Sequence, residues 1–337
     1  MSTGRAGAGS AATPADVLVV SLGATGGLRE ADSELARSLG RAGAQVELVT
    51  AVRPREVRTF AATDLGWALA ARRAAAQALA RRPARAVIYS SVTAALLWPR
   101  RGAIRFDALA AANRPGRHGI WQRPLERRRL AQAGLWVPCS RGSLSEAGAD
   151  PHDRRAVVVP IAVARSGPLP GSRDIAAMTY VANFHKKGVD RLLEAWARAR
   201  RPGEELLLAG AQLSVREEGV RVVGRLGSTA YRALLRRTRV FAAAARREDY
   251  GVAQLEALAD GCQLVTVASP GPYAALPLAR TLDPRLVGED LAGALRCALD
   301  SPLEGYAARA AQLLRPYSIE QVDRLVATEL LPRLLRG

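Results

Sequence analysis

The stretch Val17–Val52, VLVVSLGATGGLREADSELARSLGRAGAQVELVTAV, decides the fold. It opens on Val17–Leu22, a short apolar run rich in β-branched residues, which suits a parallel strand buried on both faces. Gly23, Gly26 and Gly27 then mark a turn, and Leu28, Leu35 and Leu39 fall on one face of the helix that follows. Gly40 and Gly43 bracket the end of that helix. Val46–Val52 reads as a second strand. Strand, glycine turn, helix and strand in this order make the repeating unit of a doubly wound α/β sheet.

The alternation continues outward from this unit. A helix is expected around Leu69–Ala80, strands at Ala86–Tyr89 and Ala103–Phe106, a helix over Leu125–Ala133, and strands at Leu135–Val137 and Ala156–Ile161. Ser166–Arg173 (SGPLPGSR) has no apolar period and reads as a linker. The pattern then restarts. Strands are expected at Met178–Val181, Glu205–Ala209, Val220–Val223, Arg239–Ala242 and Leu264–Val267. Helices are expected at Val189–Arg198, Thr229–Arg236 and Val252–Asp260, and again over Ile319–Leu335. The expected fold class is therefore α/β, with two Rossmann-like domains facing each other across a cleft. Residues 1–15 read as a disordered leader, 16–165 as the N-terminal domain, 166–174 as the linker and 175–315 as the C-terminal domain. Residues 316–337 read as a terminal helix free to pack back on the N-terminal domain. A ligand is expected near the carboxyl ends of the strands.

Bulk composition narrows the function classes. A chain of 337 residues fits two domains of about 150 each. No apolar run approaches the roughly 18–20 residues that span a bilayer, and the first fifteen residues lack the apolar core of a signal peptide. Cytoplasmic residence is the expectation. Cys139, Cys262 and Cys297 are odd in number and widely spaced, which suits neither a disulfide framework nor a zinc site. His118, His152 and His185 show no metal-ligand spacing, and no Asp-x-Asp pair is present to hold a divalent ion. Walker, Gly-x-Ser-x-Gly and Cys-x-x-Cys motifs are missing too.

The net charge of +18 is unevenly spread. Through Arg165 there are 25 arginines against 12 carboxylates; from Ser166 there are 24 basic residues against 19. The N-terminal half thus suits an anionic partner such as a lipid surface, a nucleic acid or an acidic substrate, unless its arginines merely follow composition. Asn113–Arg129 (NRPGRHGIWQRPLERRR) concentrates that charge beside Ile120 and Trp121. It reads either as a solvated loop or as a membrane- or acceptor-facing patch.

Chemistry is concentrated in Arg247–Gly261, REDYGVAQLEALADG. Gly251 permits close backbone approach, and the helix starting behind it offers unpaired N–H groups to an anion such as a diphosphate. Glu248 lies in the loop, placed to accept hydrogen bonds from sugar hydroxyls. Glu256, more than one turn into the helix and flanked by Leu255, Ala257 and Leu258, needs polar partners, and diol hydroxyls would serve.

This segment resembles the Glu-x7-Glu motif of retaining glycosyltransferase family 4, of the GT-B fold. There the pattern runs Glu-x-[Phe/Tyr]-Gly-x4-Glu-Ala-x-Ala-x-Gly, and Glu248 through Gly261 follows it. Upstream, Tyr180–Ala195 (YVANFHKKGVDRLLEA) is similar to the family's Lys-Gly-…-Leu-Leu-x-Ala segment, and Leu206–Gly210 and Val222–Leu226 resemble its next two strand ends. The resemblance implies a donor diphosphate paired with Lys187, its neighbour Lys186 being the alternative contact, with Asn183, Gly251 and Val252 beside it. It places the base against Gly224, Arg225 and Leu226, the ribose on Glu256, and the donor hydroxyls on Glu248. Gly26 and Gly27 resemble the glycine loop that approaches the diphosphate from the facing domain. Asn183 stands where the family has an arginine. Asp107, in IRFD, stands where many members carry a catalytic-site histidine, and would contact a sugar hydroxyl or the acceptor.

The implied activity is transfer of a sugar from a nucleotide-diphosphate donor to a glycan, lipid or small-molecule acceptor, with retention of configuration, without a metal and without a cofactor. Asn183 and Asp107 keep a second reading open, a catalytically silent binding or scaffold protein. The charge keeps a third, a nucleic-acid-binding protein, which the missing recognition motifs and the few aromatics disfavour. Nucleic acid is accordingly not an expected partner, whereas peripheral contact of the basic half with an anionic membrane is.

Overall fold

The computed structural model describes residues 14–55, 57, 59–114, 116–150, 152–212 and 214–336; residues 1–13, most of the expected leader, lie outside them. The chain divides into two compact units. The first comprises Met1–Arg105, Arg114–Val137 and Val326–Gly337, and the second Phe106–Asn113 and Pro138–Leu325.

Strand β1 (Ala15–Ser21) is buried along almost its whole length, as its unbroken apolar run requires. It lies parallel to β2 (Val46–Thr50) and to β3 (Ala84–Tyr89), and β3 is parallel to β4 (Ala103–Phe106). With β5 (Trp136–Pro138) the sheet order is β2-β1-β3-β4-β5. Helix α1 (Gly26–Arg41) is capped by the Thr25 hydroxyl, which accepts the Leu28 N–H, and turns Leu35 and Leu39 inward. Helix α2 (Phe60–Arg81) starts nine residues before the expected position, because the Thr59 hydroxyl caps it at Ala62. Its buried face is nearly all alanine (Ala68, Ala71, Ala75, Ala78), so its apolar period is weak and hard to read from sequence. Short helices α3 (Val92–Ala95) and α4 (Ala110–Asn113) precede α5 (Gln122–Gln132), and α6 (Arg141–Glu146) follows β5.

One expected strand does not form. Val157 and Val159 of Ala156–Ile161 are buried, but the segment forms no strand: Ala156 is an isolated bridge residue, and further along the Val159 N–H donates to the Pro138 carbonyl. Pro138 and Pro160 both lack an N–H, so a continuous ladder has no donors at these points.

The second sheet is built from β6 (Ile175–Tyr180), β7 (Leu206–Ala209), β8 (Val220–Gly224), β9 (Thr238–Ala243) and β10 (Gln263–Thr266), in the order β10-β9-β6-β7-β8. All its recorded pairings are parallel. Helix α7 (Val189–Ala199) buries Val189, Leu192, Ala195, Trp196 and Ala199, an i, i+3, i+4 stripe. Trp196 is fully buried and its indole N–H donates to the Gly219 carbonyl at 2.8 Å. Burying each large side chain of this stripe contributes about 1.5–3 kcal/mol. Helix α8 (Ser228–Arg237) precedes β9, and α9 (Val252–Ala259) lies between β9 and β10. Beyond β10 come α10 (Ala275–Leu282), α11 (Leu291–Asp300), α12 (Tyr306–Leu313), α13 (Ile319–Leu325) and α14 (Leu331–Arg336). The expected terminal helix is broken: Val326–Leu330 forms a π turn between α13 and α14. Pro332, which has no N–H to continue an α-helical ladder, stands just beyond it.

In the second sheet β6 is flanked by β9 on one side and β7 on the other, so the direction of winding reverses between β6 and β9. Ligands of doubly wound sheets bind outside the carboxyl ends of the strands at such a reversal. The two loops there are residues 181–188, leading to α7, and 244–251, leading to α9.

Candidate functional site

These two loops carry Lys186, Lys187, Arg246, Arg247, Glu248 and Asp249. Gly188 caps α7 in a left-handed conformation (φ 61°), and a Cβ added there would land on the Ala244 carbonyl oxygen. The close approach of the loops therefore requires glycine. A backbone bond from the Arg246 N–H to the Lys186 carbonyl, 2.9 Å, ties them together.

The chain's two lysines both point across this seam. Lys187 Nζ donates to Glu248 Oε2 at 2.6 Å, and Lys186 Nζ pairs with Asp249. Glu248 is 5% exposed. Its other partner is the buried Gln254, whose side-chain amide donates to the same Oε2 at 2.9 Å. The Glu248 backbone is fixed as well: its N–H donates to the Pro270 carbonyl, and Gly271 packs so closely that a Cβ there would meet the Glu248 carbonyl oxygen. A buried carboxylate is stable only with such compensation.

Gly251 (φ 89°) opens α9, where an added Cβ would stand 2.7 Å from the Tyr273 ring. No side chain caps this helix, so the N–H groups of Val252, Ala253 and Gln254 have no helical acceptor. A narrow recess beside them is lined by Thr179, Lys187, Ala243, Ala245, Ala253 and Gln254. Helix N–H groups, a lysine and small side chains together suit a phosphate.

The arginines of the second loop are already engaged. Arg246 grips Asp190 with both Nη atoms, at 2.8 and 2.6 Å, and these bonds hold the Asp190 pKa down at about 2. Arg247 bonds Asp249 and Glu146. Asn183 is exposed and closes the turn ahead of the lysines, its side-chain oxygen accepting the Lys186 N–H at 2.8 Å. It does not substitute for a cation.

Glu256 has a protein neighbour that sequence reasoning did not foresee: Arg232 Nη1 of α8 stands 3.4 Å from its Oε1. The shorter bond of Arg232, 2.7 Å, goes to the fully buried Asp260, and Glu256 keeps partial exposure. Next to it is the hydroxyl of Tyr231, buried and without a hydrogen-bond partner, its pKa raised by burial and then by the Glu256 carboxylate. Tyr231 stacks edge-to-face on Tyr180, 5.5 Å between ring centres. Gly224 ends β8, and Arg225 and Leu226 follow it. Gly224 accepts the Gly210 N–H through its carbonyl at 2.7 Å, and Arg225 and Leu226 are exposed.

Asp107 lies at the end of β4, within the second unit, its backbone carbonyl accepting the Ser143 hydroxyl at 2.7 Å. Its carboxylate keeps solvent access. The surrounding protein nevertheless strips part of its hydration and, with the Asp249 carboxylate nearby, raises its pKa, while Lys186 opposes the shift. Gly26 and Gly27 are exposed at the start of α1 in the first unit. The structure thus gathers Asn183, Lys187, Glu248, Gly251 and Val252 at one sheet reversal. It adds Gln254, Tyr231 and Arg232, which sequence reasoning missed. A signal for Gln254 existed: six residues after Glu248, it is an uncharged polar residue in the first turn of a helix whose only other polar side chain is Glu256.

The sequence model of the family described as glycosyl transferases group 1 matches residues 176–300. No curated protein matches by sequence. Among solved structures, the chain is similar to WaaG, a glycosyltransferase involved in lipopolysaccharide biosynthesis (16% identity, 92% of this chain and 98% of that one, TM-score 0.68). It is also similar to HepE of Anabaena, solved with UDP and glucose (14% identity, 94% and 99%, TM-score 0.67). A sucrose-phosphate synthase from Thermosynechococcus elongatus is a third neighbour (15% identity, 96% and 99%, TM-score 0.65). The chain thus has the two-sheet GT-B fold of these proteins, and its residues 176–300 match the glycosyl transferases group 1 model.

Proposed function

We propose that this protein is a retaining glycosyltransferase that takes its sugar from a nucleoside-diphosphate donor bound at the β6–β9 reversal. The observation that carries the reading is the Lys187–Glu248–Gln254 cluster beside the uncapped start of α9. The helix N–H groups and Lys187 would hold the diphosphate and offset the charge that develops on it as the glycosidic bond breaks. Glu248, fixed by Gln254 and by its own backbone, would orient the donor hydroxyls. Glu256 and the partnerless Tyr231 hydroxyl would meet the ribose, and Gly224–Leu226 the base. Asp107 would contact the acceptor or a sugar hydroxyl. Retention without a metal follows the family resemblance. HepE, solved with UDP and glucose, supports a nucleotide sugar as donor, and WaaG, involved in lipopolysaccharide biosynthesis, supports a glycan or glycolipid as acceptor. Residence in the cytoplasm, with the basic N-terminal half against an anionic membrane, belongs to the same proposal; no described helix is long and apolar enough to cross one.

The test is nucleoside-diphosphate release from a panel of nucleotide sugars, by wild type and by Glu248→Gln and Lys187→Ala variants. One sugar nucleotide is expected to turn over, and each variant to lose about a hundredfold or more in kcat/KM. Both variants performing like wild type would refute the site assignment.

A further inference from the structure

The first unit bears a surface that the proposed transfer chemistry does not use. Of the eight large apolar side chains exposed among the described residues, six lie between residues 52 and 120: Val52, Val57, Phe60, Leu65, Leu69 and Ile120. They cluster on α2 and the loops around its start. The Phe60 ring meets His118 edge-on, 5.6 Å between centres, and the Arg114 guanidinium stands 5.3 Å above it. Pro54 packs against α2 at Gly66. On the outward side of the helix, Leu65 and Leu69 form a row one turn apart that continues as exposed Arg72 and Arg73.

Among the described residues of the first unit, the exposed charge around these side chains has one sign. Over residues 51–129 the sequence holds seventeen arginines and four carboxylates. In the described parts of the first unit that fall in this stretch, the carboxylates are Asp64 and Glu126, 8% and 3% exposed, and Asp64 is taken by Arg114 and Gln122. Arg55, Arg73, Arg117, Arg127 and Arg128 are exposed there. Helix α1 of the same unit shows the contrast. Glu30, Glu34, Arg37 and Arg41 alternate and pair along it, as on an ordinary solvated face. Arginine-rich composition alone therefore does not account for the α2 face. Exposed apolar side chains among exposed arginines match the two-part chemistry of an anionic bilayer, apolar below its phosphates. Nucleic acid fits less well, because the Phe60 ring is already engaged by Arg114 and His118 and offers little to a stacking base.

We propose that the face formed by the first half of α2, by Val52 and Val57 ahead of it, and by Arg117 and Ile120 docks the protein on an anionic lipid surface. Phe60 and Ile120 enter the headgroup layer, and Arg117, Arg127 and Arg128 pair with lipid phosphates. This gives the membrane contact a defined face, and it stands whether or not sugar is transferred.

The experiment is co-sedimentation of the full chain with vesicles of phosphatidylcholine alone or mixed with phosphatidylglycerol, over a range of salt. Binding is expected on the mixed vesicles only and should weaken as salt rises. Arg117→Glu with Arg128→Glu should weaken it by more than about tenfold, since each basic residue near such a surface is worth roughly a fivefold change in partition. Phe60→Ser with Ile120→Ser should weaken it about tenfold yet keep its salt dependence. Arg37→Glu, an equal charge change per site within the mixed-sign ladder of α1, should bind nearly as wild type does. These side chains are exposed, and unchanged thermal unfolding would confirm that the variants fold. The proposal is overturned by absent or lipid-indifferent binding, or by an Arg37→Glu loss as large per site as that at Arg117 and Arg128. Self-association through Phe60 and Ile120 in the absence of lipid would overturn it too, as would RNA displacing the vesicles.

Discussion

The proposed donor site lies beside the two lysines of a chain whose other 47 basic residues are arginine. A lysine is a compact, mobile point charge, whereas arginine forks onto carboxylates and stays there. The structure shows that division: Arg246 and Arg247 are held by Asp190, Asp249 and Glu146, while Lys187 makes one bond to Glu248 and lines the recess at the start of α9. Asp190 supplies a test at this scale. The two bonds from Arg246 hold its pKa at about 2, below its ordinary 3.8, so their stabilisation is present above pH 4 and is lost as pH falls from there towards 2. Both side chains are about one-third exposed or more, so solvent screening keeps the effect small. Thermal unfolding between pH 5 and 2 should therefore fall more steeply in wild type than in Asp190→Asn (about the pH window that linkage sets), and added salt should shrink the difference. Parallel curves would show that the pair contributes nothing.

At the scale of elements, the site depends on loops that approach within backbone contact. Gly188, Gly251 and Gly271 all have positive φ, and a Cβ at each would strike the neighbouring loop or the Tyr273 ring. Gly188→Ala is expected to destabilise the second unit by at least about 2 kcal/mol, because it adds left-handed strain to a clash with the Ala244 carbonyl. Chemical denaturation would measure this; a change below a few tenths of a kcal/mol would mean the loops move apart freely. Much of this was legible in sequence. The glycines stand at strand-to-helix turns, and the stripe of Val189, Leu192 and Trp196 announced α7. What stayed hidden has physical reasons. Helix α2 buries alanines and so lacks a strong apolar period. Ala156–Ile161 alternates like a strand, but Pro138 and Pro160 withhold the donors that would zip it into a sheet. Arg232, one partner of Glu256, lies 24 residues away in the sequence, a distance that no local pattern encodes.

At the scale of the whole molecule, two parallel sheets place different properties on different units. The second unit assembles the proposed donor site at its sheet reversal, legible from the ordered blocks between Tyr180 and Gly261. The first unit carries a basic, apolar-studded face, whose charge was evident in the sequence but whose single sign among the described surface residues required knowing that Asp64 and Glu126 are buried. The central claim is that the β6–β9 reversal binds a nucleoside diphosphate through Lys187 and the start of α9. Isothermal titration of the purified full chain with a panel of nucleoside diphosphates tests it most directly, repeated with Lys187→Ala. The account predicts saturable one-to-one binding of at least one nucleotide, weakened about tenfold or more in the variant by loss of a charged phosphate contact. No saturable binding to any of them, or equal affinity in wild type and variant, would contradict it.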